Sequence, residues 1–461
     1  MTTPLLNVTP ALFHTCKSNA MFRYLRNICF SLLALSISLT AEAQTPAIGV
    51  PVITGTPVCA GSNVTITFSV TNGTGGSEYF TNSTVYNVYL SDAAGNNFSS
   101  IGTFNTSGIS YDATDNGITN DVTADITIPA NISTGSGYKI SIGSADPSFD
   151  GSTGINGSID FIINQIPNVT ATPSSQTKCS GVAIATIALT STTTGTTYTW
   201  TRDNTVAVTG IAASGSGDIT GTLTNTTAAP VTVTFTITPT ANGCAGTPIT
   251  AAVLVNPTPN VTATPNSQTK CSGVAITTIA LTSTTTGTTY TWTRDNNVAA
   301  TGIAASGSGD ISGTLTNTTV APVTITFTIT PTANGCAGTS ITATVLVNPT
   351  PNVTATPSSQ TKCSGVAITI IALTSTTTGT TYTWTRDNTV AATGIAASGS
   401  GDITGTLTNT TAAPVTVTFT ITPTANGCGG AAITATVLVN PSPNVTATPS
   451  SQTKCSGVAI T

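Results

Sequence analysis

Over Val231-Thr-Val-Thr-Phe-Thr-Ile-Thr238, apolar and polar residues alternate. That puts Val231, Val233, Phe235 and Ile237 on one face of an extended strand and threonines on the other. Val182–Leu189, Tyr198–Arg202, Ile219–Leu223 and Ile249–Val255 are of similar length and rich in β-formers, so they predict strands too. Gly195, Gly210, Gly215, Gly217 and Gly243 punctuate these runs as turn residues. Pro173, Pro230 and Pro239 stand at run ends, where a missing N–H costs little. No stretch carries the 3.6-residue apolar stripe of a surface helix. Six or seven short strands in about 90 residues predict an all-β, two-sheet antiparallel sandwich.

The pattern returns at a fixed step. Cys179, Cys271, Cys363 and Cys455 each open Cys-Ser-Gly-Val-Ala-Ile, 92 residues apart, and Cys244, Cys336 and Cys428 keep that step, each after Ala-Asn-Gly. Residues 168–259 and 260–351 differ at nine of 92 positions. So long a period marks a tandem array whose units fold alike. The expected units are 167–259, 260–351 and 352–443, with 444–461 as the truncated start of a fourth copy. Residues 44–166 read as a separate β domain, and 1–43 as an N-terminal extension with a signal peptide.

Trp200, in Tyr198-Thr-Trp200, falls in the expected third strand, with its ring between the sheets and Tyr198 on the same face. A unit with only three aromatics (Tyr198, Trp200, Phe235) needs that ring in its core; an exposed sugar-binding Trp is the alternative. Cys-Ser-Gly-Val at 179–182, Tyr-Thr-Trp at 198–200, Thr-Pro-Thr-Ala-Asn-Gly-Cys at 238–244 and Val-Leu-Val-Asn-Pro at 253–257 together resemble the PKD-like, immunoglobulin-type repeats common in secreted and cell-surface proteins of Bacteroidota. The resemblance covers residues 168–461 and implies a tandem array of immunoglobulin-like sandwiches. Residues 44–166 resemble a different immunoglobulin-like module of such proteins, typified by Ile128-Pro-Ala-Asn-Ile-Ser-Thr-Gly-Ser-Gly-Tyr138.

Charge changes the picture in one place. Only 6% of residues are charged, against roughly 25% in an average soluble protein. In the first repeat Lys178, Arg202, Asp203 and Asp218 sum to zero, whereas 44–166 sets nine carboxylates against Lys139 alone, a net −8. No basic patch exists, which argues against nucleic acid as a partner. At the N-terminus, Arg23 and Arg26 precede an apolar stretch, Ile28 to Leu39, and Ala41-Glu42-Ala43 fits a small-residue cleavage site. Twelve residues are too few to span a bilayer, which needs about 20. Met21 reads as the start, Gln44 as the first mature residue, and the mature chain as exported without membrane insertion.

Export would place the cysteines in an oxidising environment, where regular spacing reads as disulfides. Pairing within repeats gives 179–244, 271–336 and 363–428, and leaves Cys59 alone. Pairing between neighbours gives Cys59–Cys244, Cys179–Cys336 and Cys271–Cys428. The second scheme is favoured. In an immunoglobulin-like sandwich the turns holding Cys179 and Cys244 fall at opposite poles, and Cys59, in Val-Cys-Ala-Gly, resembles the repeat cysteines.

Catalytic chemistry is scarce. His14, the one histidine, precedes the signal segment, so no Ser-His-Asp or Cys-His machinery is expected, and no catalytic residue or cofactor site is assigned. Asp203 and Asp218 read as turn and strand-start residues rather than a glycosidase pair. Asp112, Asp115, Asp121 and Asp125 gather four carboxylates around Asn116-Gly117, so calcium is a possible ligand, with a solvated acidic loop as the preferred reading. Short Pro-stiffened junctions such as Asn256-Pro-Thr-Pro-Asn260 predict an extended array. The expected function is a non-catalytic, adhesin-like stalk, secreted or at the cell surface, with a surface glycan or protein as ligand. The alternative is the spacer region of an exported hydrolase whose catalytic domain lies further C-terminal.

Overall fold

In the acidic domain, alternation along the chain becomes a sandwich. Its strands are β1 (Ala47–Ile48), β2 (Val52–Thr54), β3 (Val58–Cys59), β4 (Asn63–Thr71), β5 (Val85–Leu90), β6 (Ser99–Asn105), β7 (Thr119–Thr127), β8 (Gly135–Tyr138), β9 (Ile140–Ala145), β10 (Ser148–Phe149) and β11 (Phe161–Asn164). The computed structural model describes residues 44–73, 80, 83–105, 119–145, 148–154 and 157–460; the predicted signal segment lies outside them. Its contacts divide the chain into two units, one holding residues up to Thr170 with 190–198 and 238–248, the other the remainder.

In the first unit, β4 pairs with β7 over nine residues and on its other side with β1 and β2. Val64, Ile66, Phe68 and Val70 of β4 point inward, as its alternation requires. The opposing strands include β5 between β6 and β9, and β11 between β8 and the short parallel β3. Phe68 meets the Tyr86 ring edge-on at 5.4 Å, and Tyr86 stacks on Phe104 at 5.4 Å, joining β4 to β5 and β6. Each fully buried aromatic contributes about 1.5–3 kcal/mol, so this cluster is a main source of cohesion. Tyr138 Oη donates to the Ser133 carbonyl at 2.8 Å and pins the turn that precedes it.

In the second unit, the middle repeat shows the repeat fold. One sheet runs in the order Ser267–Cys271, Ile341–Asn348, Val323–Ala333, Thr289–Arg294, Ser306–Ser308. Its pairs are antiparallel except the first, which is parallel. Opposite lie the pairs Thr262–Thr264 with Ala280–Thr282 and Ala300–Thr301 with Thr316–Asn317. Ile279, Ile311, Ile325, Phe327, Ile329, Val345 and Val347 fill the space between. The same sheet orders recur in the other repeats. The described residues contain no α-helix, and the chain is an all-β tandem array of immunoglobulin-like sandwiches.

Four details depart from the sequence reading. The strands expected at Val182–Leu189 and Ile219–Leu223 are mostly replaced by bridges, Ala183↔Thr222 and Ile187↔Ile219, because Gly221 at φ +132° breaks the ladder. Gly215 is no turn residue: it sits in a strand opposite Trp200, where an added Cβ would lie 2.3 Å from the indole. Pro239 is interior to the long strand Val231–Ala241, not at its end. Its equivalent, Pro331, lies past the last pair with the neighbouring strand, Ile329↔Ile341, so the missing N–H is not demanded there. The polar run Ser175–Cys179 is a strand that alternation did not reveal.

Candidate functional site

The Ala-Asn-Gly-Cys string of each repeat is a two-residue hairpin. In the middle repeat Ala333 and Cys336 pair, while Asn334 (φ +50°) and Gly335 (φ +78°) take the left-handed conformations of a type I′ turn. The hairpin therefore presents a cysteine and a free turn carbonyl. In the preceding repeat, Cys179 ends a strand opposite Asn256. The two elements meet. Cys179 and Cys336 form a disulfide with their Cα atoms 5.6 Å apart, and Asn256 Nδ2 donates to the Asn334 carbonyl at 3.0 Å. The next junction repeats this with Cys271–Cys428 (Cα atoms 5.7 Å apart) and Asn348 Nδ2 donating to the Asn426 carbonyl at 3.0 Å.

The first unit holds a third version. Cys59 lies opposite Asn164, is bonded to Cys244 (Cα atoms 5.8 Å apart), and Asn164 Nδ2 reaches the Asn242 carbonyl at 3.5 Å. Here the turn glycine is packed: a Cβ on Gly243 would lie 2.5 Å from Pro57 Cγ. All three Cα separations fall within the range a disulfide requires, about 4.4–6.8 Å. Cys363 and Cys455 are free and exposed. The linker is seated as well, since a Cβ on Gly338 would collide with the Pro259 carbonyl oxygen. Such a junction couples two domains covalently and by an amide hydrogen bond.

The other candidates are structural. Each repeat Trp is buried, meets a Phe edge-on (Trp292 to Phe327, 5.6 Å) and donates from Nε1 to a backbone carbonyl (Gly309, 3.1 Å). The exposed sugar-binding reading is therefore not what the fold shows. Arg294 is buried beside it, with Nε donating to the Ile303 carbonyl at 2.8 Å and Nη1 to the Ala300 carbonyl at 3.0 Å, so it ties down the following loop. Burial pushes its guanidinium pKa down, opposed by the Asp295 carboxylate. Asp203 accepts from the Thr234 N–H at 2.7 Å and Asp218 from the Leu189 N–H at 2.9 Å; both carboxylates are committed to the backbone.

Of the four calcium candidates, Asp112 and Asp115 lie outside the described residues. Asp121 and Asp125 both lie exposed on β7, about 13 Å apart along the strand, so the two do not share one ion. Asp125 instead accepts from Thr65 Oγ1 at 2.6 Å. Among the described residues no group of three or more His, Cys, Asp or Glu is placed to hold a metal. Asp92 was not singled out from sequence. Its pKa is lowered, first by the Asn96 N–H and then by the Asn97 carboxamide, which marks it as a turn anchor. No described helix is long and apolar enough to cross a membrane.

A PKD-like domain profile matches residues 175–259, 265–351 and 356–443. No curated protein matches the chain. Among solved structures, mouse cadherin-23 EC22-24 is similar at 14% identity and a TM-score of 0.33, covering 60% of this chain and 99% of that one. The human desmocollin-1 ectodomain aligns at 13% identity and a TM-score of 0.27, covering 77% and 74%.

Proposed function

The chain belongs to the PKD-like domain family, and from that premise we propose that it is a non-catalytic exported protein, secreted or held at the cell surface, whose repeats form an adhesin-like stalk. The observation that carries this reading is the recurrence of one junction, disulfide plus Asn carboxamide, at three places. Disulfides persist in oxidising compartments, which supports export, as does the signal segment expected to end near Ala43. The ligand is a surface glycan or another protein.

The pairing has a mechanical consequence. The crosslinks overlap, since Cys179 lies inside the Cys59–Cys244 loop and Cys271 inside the Cys179–Cys336 loop. Along the backbone, Cys59 and Cys428 are 369 residues apart (428 minus 59). Through the disulfides, the shortest covalent path between them crosses only the 27 residues from Cys244 to Cys271. At roughly 3.5 Å per residue, full unfolding would stretch that path to about 95 Å, against about 1,300 Å without crosslinks. A stalk under tension would gain almost no length even if its repeats unfolded.

Force spectroscopy with handles outside residues 59–428 tests this. Oxidised protein should release almost no contour length, and reduced protein should release steps of about 90 residues at about 3.5 Å each. Steps of that size from oxidised protein would refute the crosslinked-stalk reading.

A further inference from the structure

We propose that the acidic domain holds an open strand-docking groove that takes an extended segment of a partner protein, with apolar residues alternating with basic ones. The groove, about 540 Å³, lies between Val52, Ile53 and Pro57 on one side and Ile159, Phe161 and Ile162 on the other. Its origin is a shortened strand. In the middle repeat six positions separate Pro265 from Cys271, and five residues, Ser267 to Cys271, pair in parallel with Thr344 to Asn348. In the acidic domain only two positions separate Pro57 from Cys59, and only Val58 and Cys59 pair, with Ile163 and Asn164. The edge upstream of Ile163, which the repeats cover with Ser267, Gln268 and Thr269, has no described strand on that side.

Exposure agrees. Among the described residues of this domain, six large apolar side chains are exposed, and three of them (Val52, Ile159, Ile162) line this groove. Ile159 is 80% exposed, Val52 55% and Ile162 54%. An uncovered sheet edge beside apolar side chains is the arrangement that binds peptides by strand addition, main-chain bonds giving affinity and alternate side chains giving selectivity. The partner's charge follows from the domain's net −8, since Asp160, on the groove wall at 63% side-chain exposure, pairs at 3.5 Å with Lys139, which is the domain's one cation and leaves none to balance the other carboxylates. The groove is also continuous with an existing interface, because Pro57 packs against the Gly243 turn beside the Cys59–Cys244 bond.

The test uses the full oxidised chain and fluorescence anisotropy of a labelled Lys-Val-Lys-Ile-Lys-Val peptide, so it does not depend on the stalk reading. Saturable binding is expected, weaker by roughly tenfold or more for the same peptide with Glu in place of Lys. Inserting Ser-Gln-Thr-Lys between Pro57 and Val58 restores the length found in the repeats and should weaken binding by roughly tenfold or more. Ile159→Lys, at an exposed position, removes an apolar contact and adds like charge, and should do the same with an unchanged circular dichroism spectrum. Three results would overturn the proposal: no saturable binding, binding by the insertion variant and by Ile159→Lys as tight as that of the unaltered chain, or sedimentation showing a dimer that the insertion abolishes, which would make a second copy the occupant.

Discussion

Residues 352–368 and 444–460 have the same 17-residue sequence, Asn-Val-Thr-Ala-Thr-Pro-Ser-Ser-Gln-Thr-Lys-Cys-Ser-Gly-Val-Ala-Ile, and different structures. In the first, Thr354–Thr356 pairs with Ala372–Thr374, and Ser359–Cys363 pairs in parallel with Ile433–Asn440. In the second there is no strand. Val353 is 8% exposed while its twin Val445 is 94% exposed; for Ile368 and Ile460 the figures are 6% and 81%. Local propensity is identical, so the difference is entirely tertiary. Neither partner strand of the second stretch has a counterpart in the sequence. Without a sheet to cover them, two short strands bury too little apolar surface to offset the backbone entropy of ordering, about 1–2 kcal/mol per residue.

The largest expected effect comes from supplying the missing sheet. Appending a copy of residues 370–443 directly after Thr461 completes a fourth repeat around 444–461. Amide exchange over Ser451–Cys455 should then slow by roughly a thousandfold or more, the scale of a sub-global opening near 4 kcal/mol. The copy of Cys428 would stand 157 residues after Cys363, the separation of the two bonded repeat pairs. The Cys363 thiol should therefore disappear from a thiol titration, while Cys455 stays reactive. Unchanged exchange in 451–455 would show that the strands of 352–368 depend on something other than their sheet.

The converse experiment damages the sheet that 352–368 already has. Trp384 packs on Phe419 at 5.6 Å and covers Gly399, where even a Cβ would lie 2.3 Å from the ring. Trp384→Ala should cost about 3–5 kcal/mol, the usual range for truncating a buried aromatic. Exchange over Ser359–Cys363 should move towards the rate of its twin, Ser451–Cys455. Full protection retained in the variant would remove the Trp from the core's ledger and reopen its assignment.

This pair of segments also shows which parts of the fold were legible in the sequence. The long strands were, because Val231–Ala241 and its copies alternate and their buried face is continuous. The Ser359–Cys363 strand was not: its residues are polar, it lies at a sheet edge, and only its parallel partner makes it a strand. The Trp could be placed from the scarcity of aromatics, but the glycine beneath it looked like a turn residue because a one-dimensional pattern does not show what packs across a strand pair. The Arg could be placed at the end of its strand, but its burial could not, because its donors go to backbone carbonyls of a loop several residues on. At the junctions the cysteines announced themselves by their period. The Asn that supports them did not, since Val-Leu-Val-Asn reads as the plain end of a strand.

That Asn gives the smallest and most local test of the comparison. Asn348 and Asn440 occupy the same place in successive repeats, each opposite a cysteine on the parallel pair, Cys271 and Cys363. Asn348 is buried, and its Nδ2 donates to the Asn426 carbonyl in the hairpin of the next repeat. Asn440 is half-buried, with no such hairpin against it among the described residues. Asn348→Ala removes a hydrogen bond worth about 0.5–1.5 kcal/mol net and strands a carbonyl at a covered junction, so a loss of about 1–2 kcal/mol is expected. Asn440→Ala removes no such contact and should stay within about 0.5 kcal/mol, as exposed substitutions do. Denaturant melts of the two variants under oxidising conditions give the difference directly. In the chain extended by a fourth repeat, Asn440→Ala should acquire the cost that Asn348→Ala has here; equal effects in both chains would mean that the carboxamide serves its own strand and not the junction.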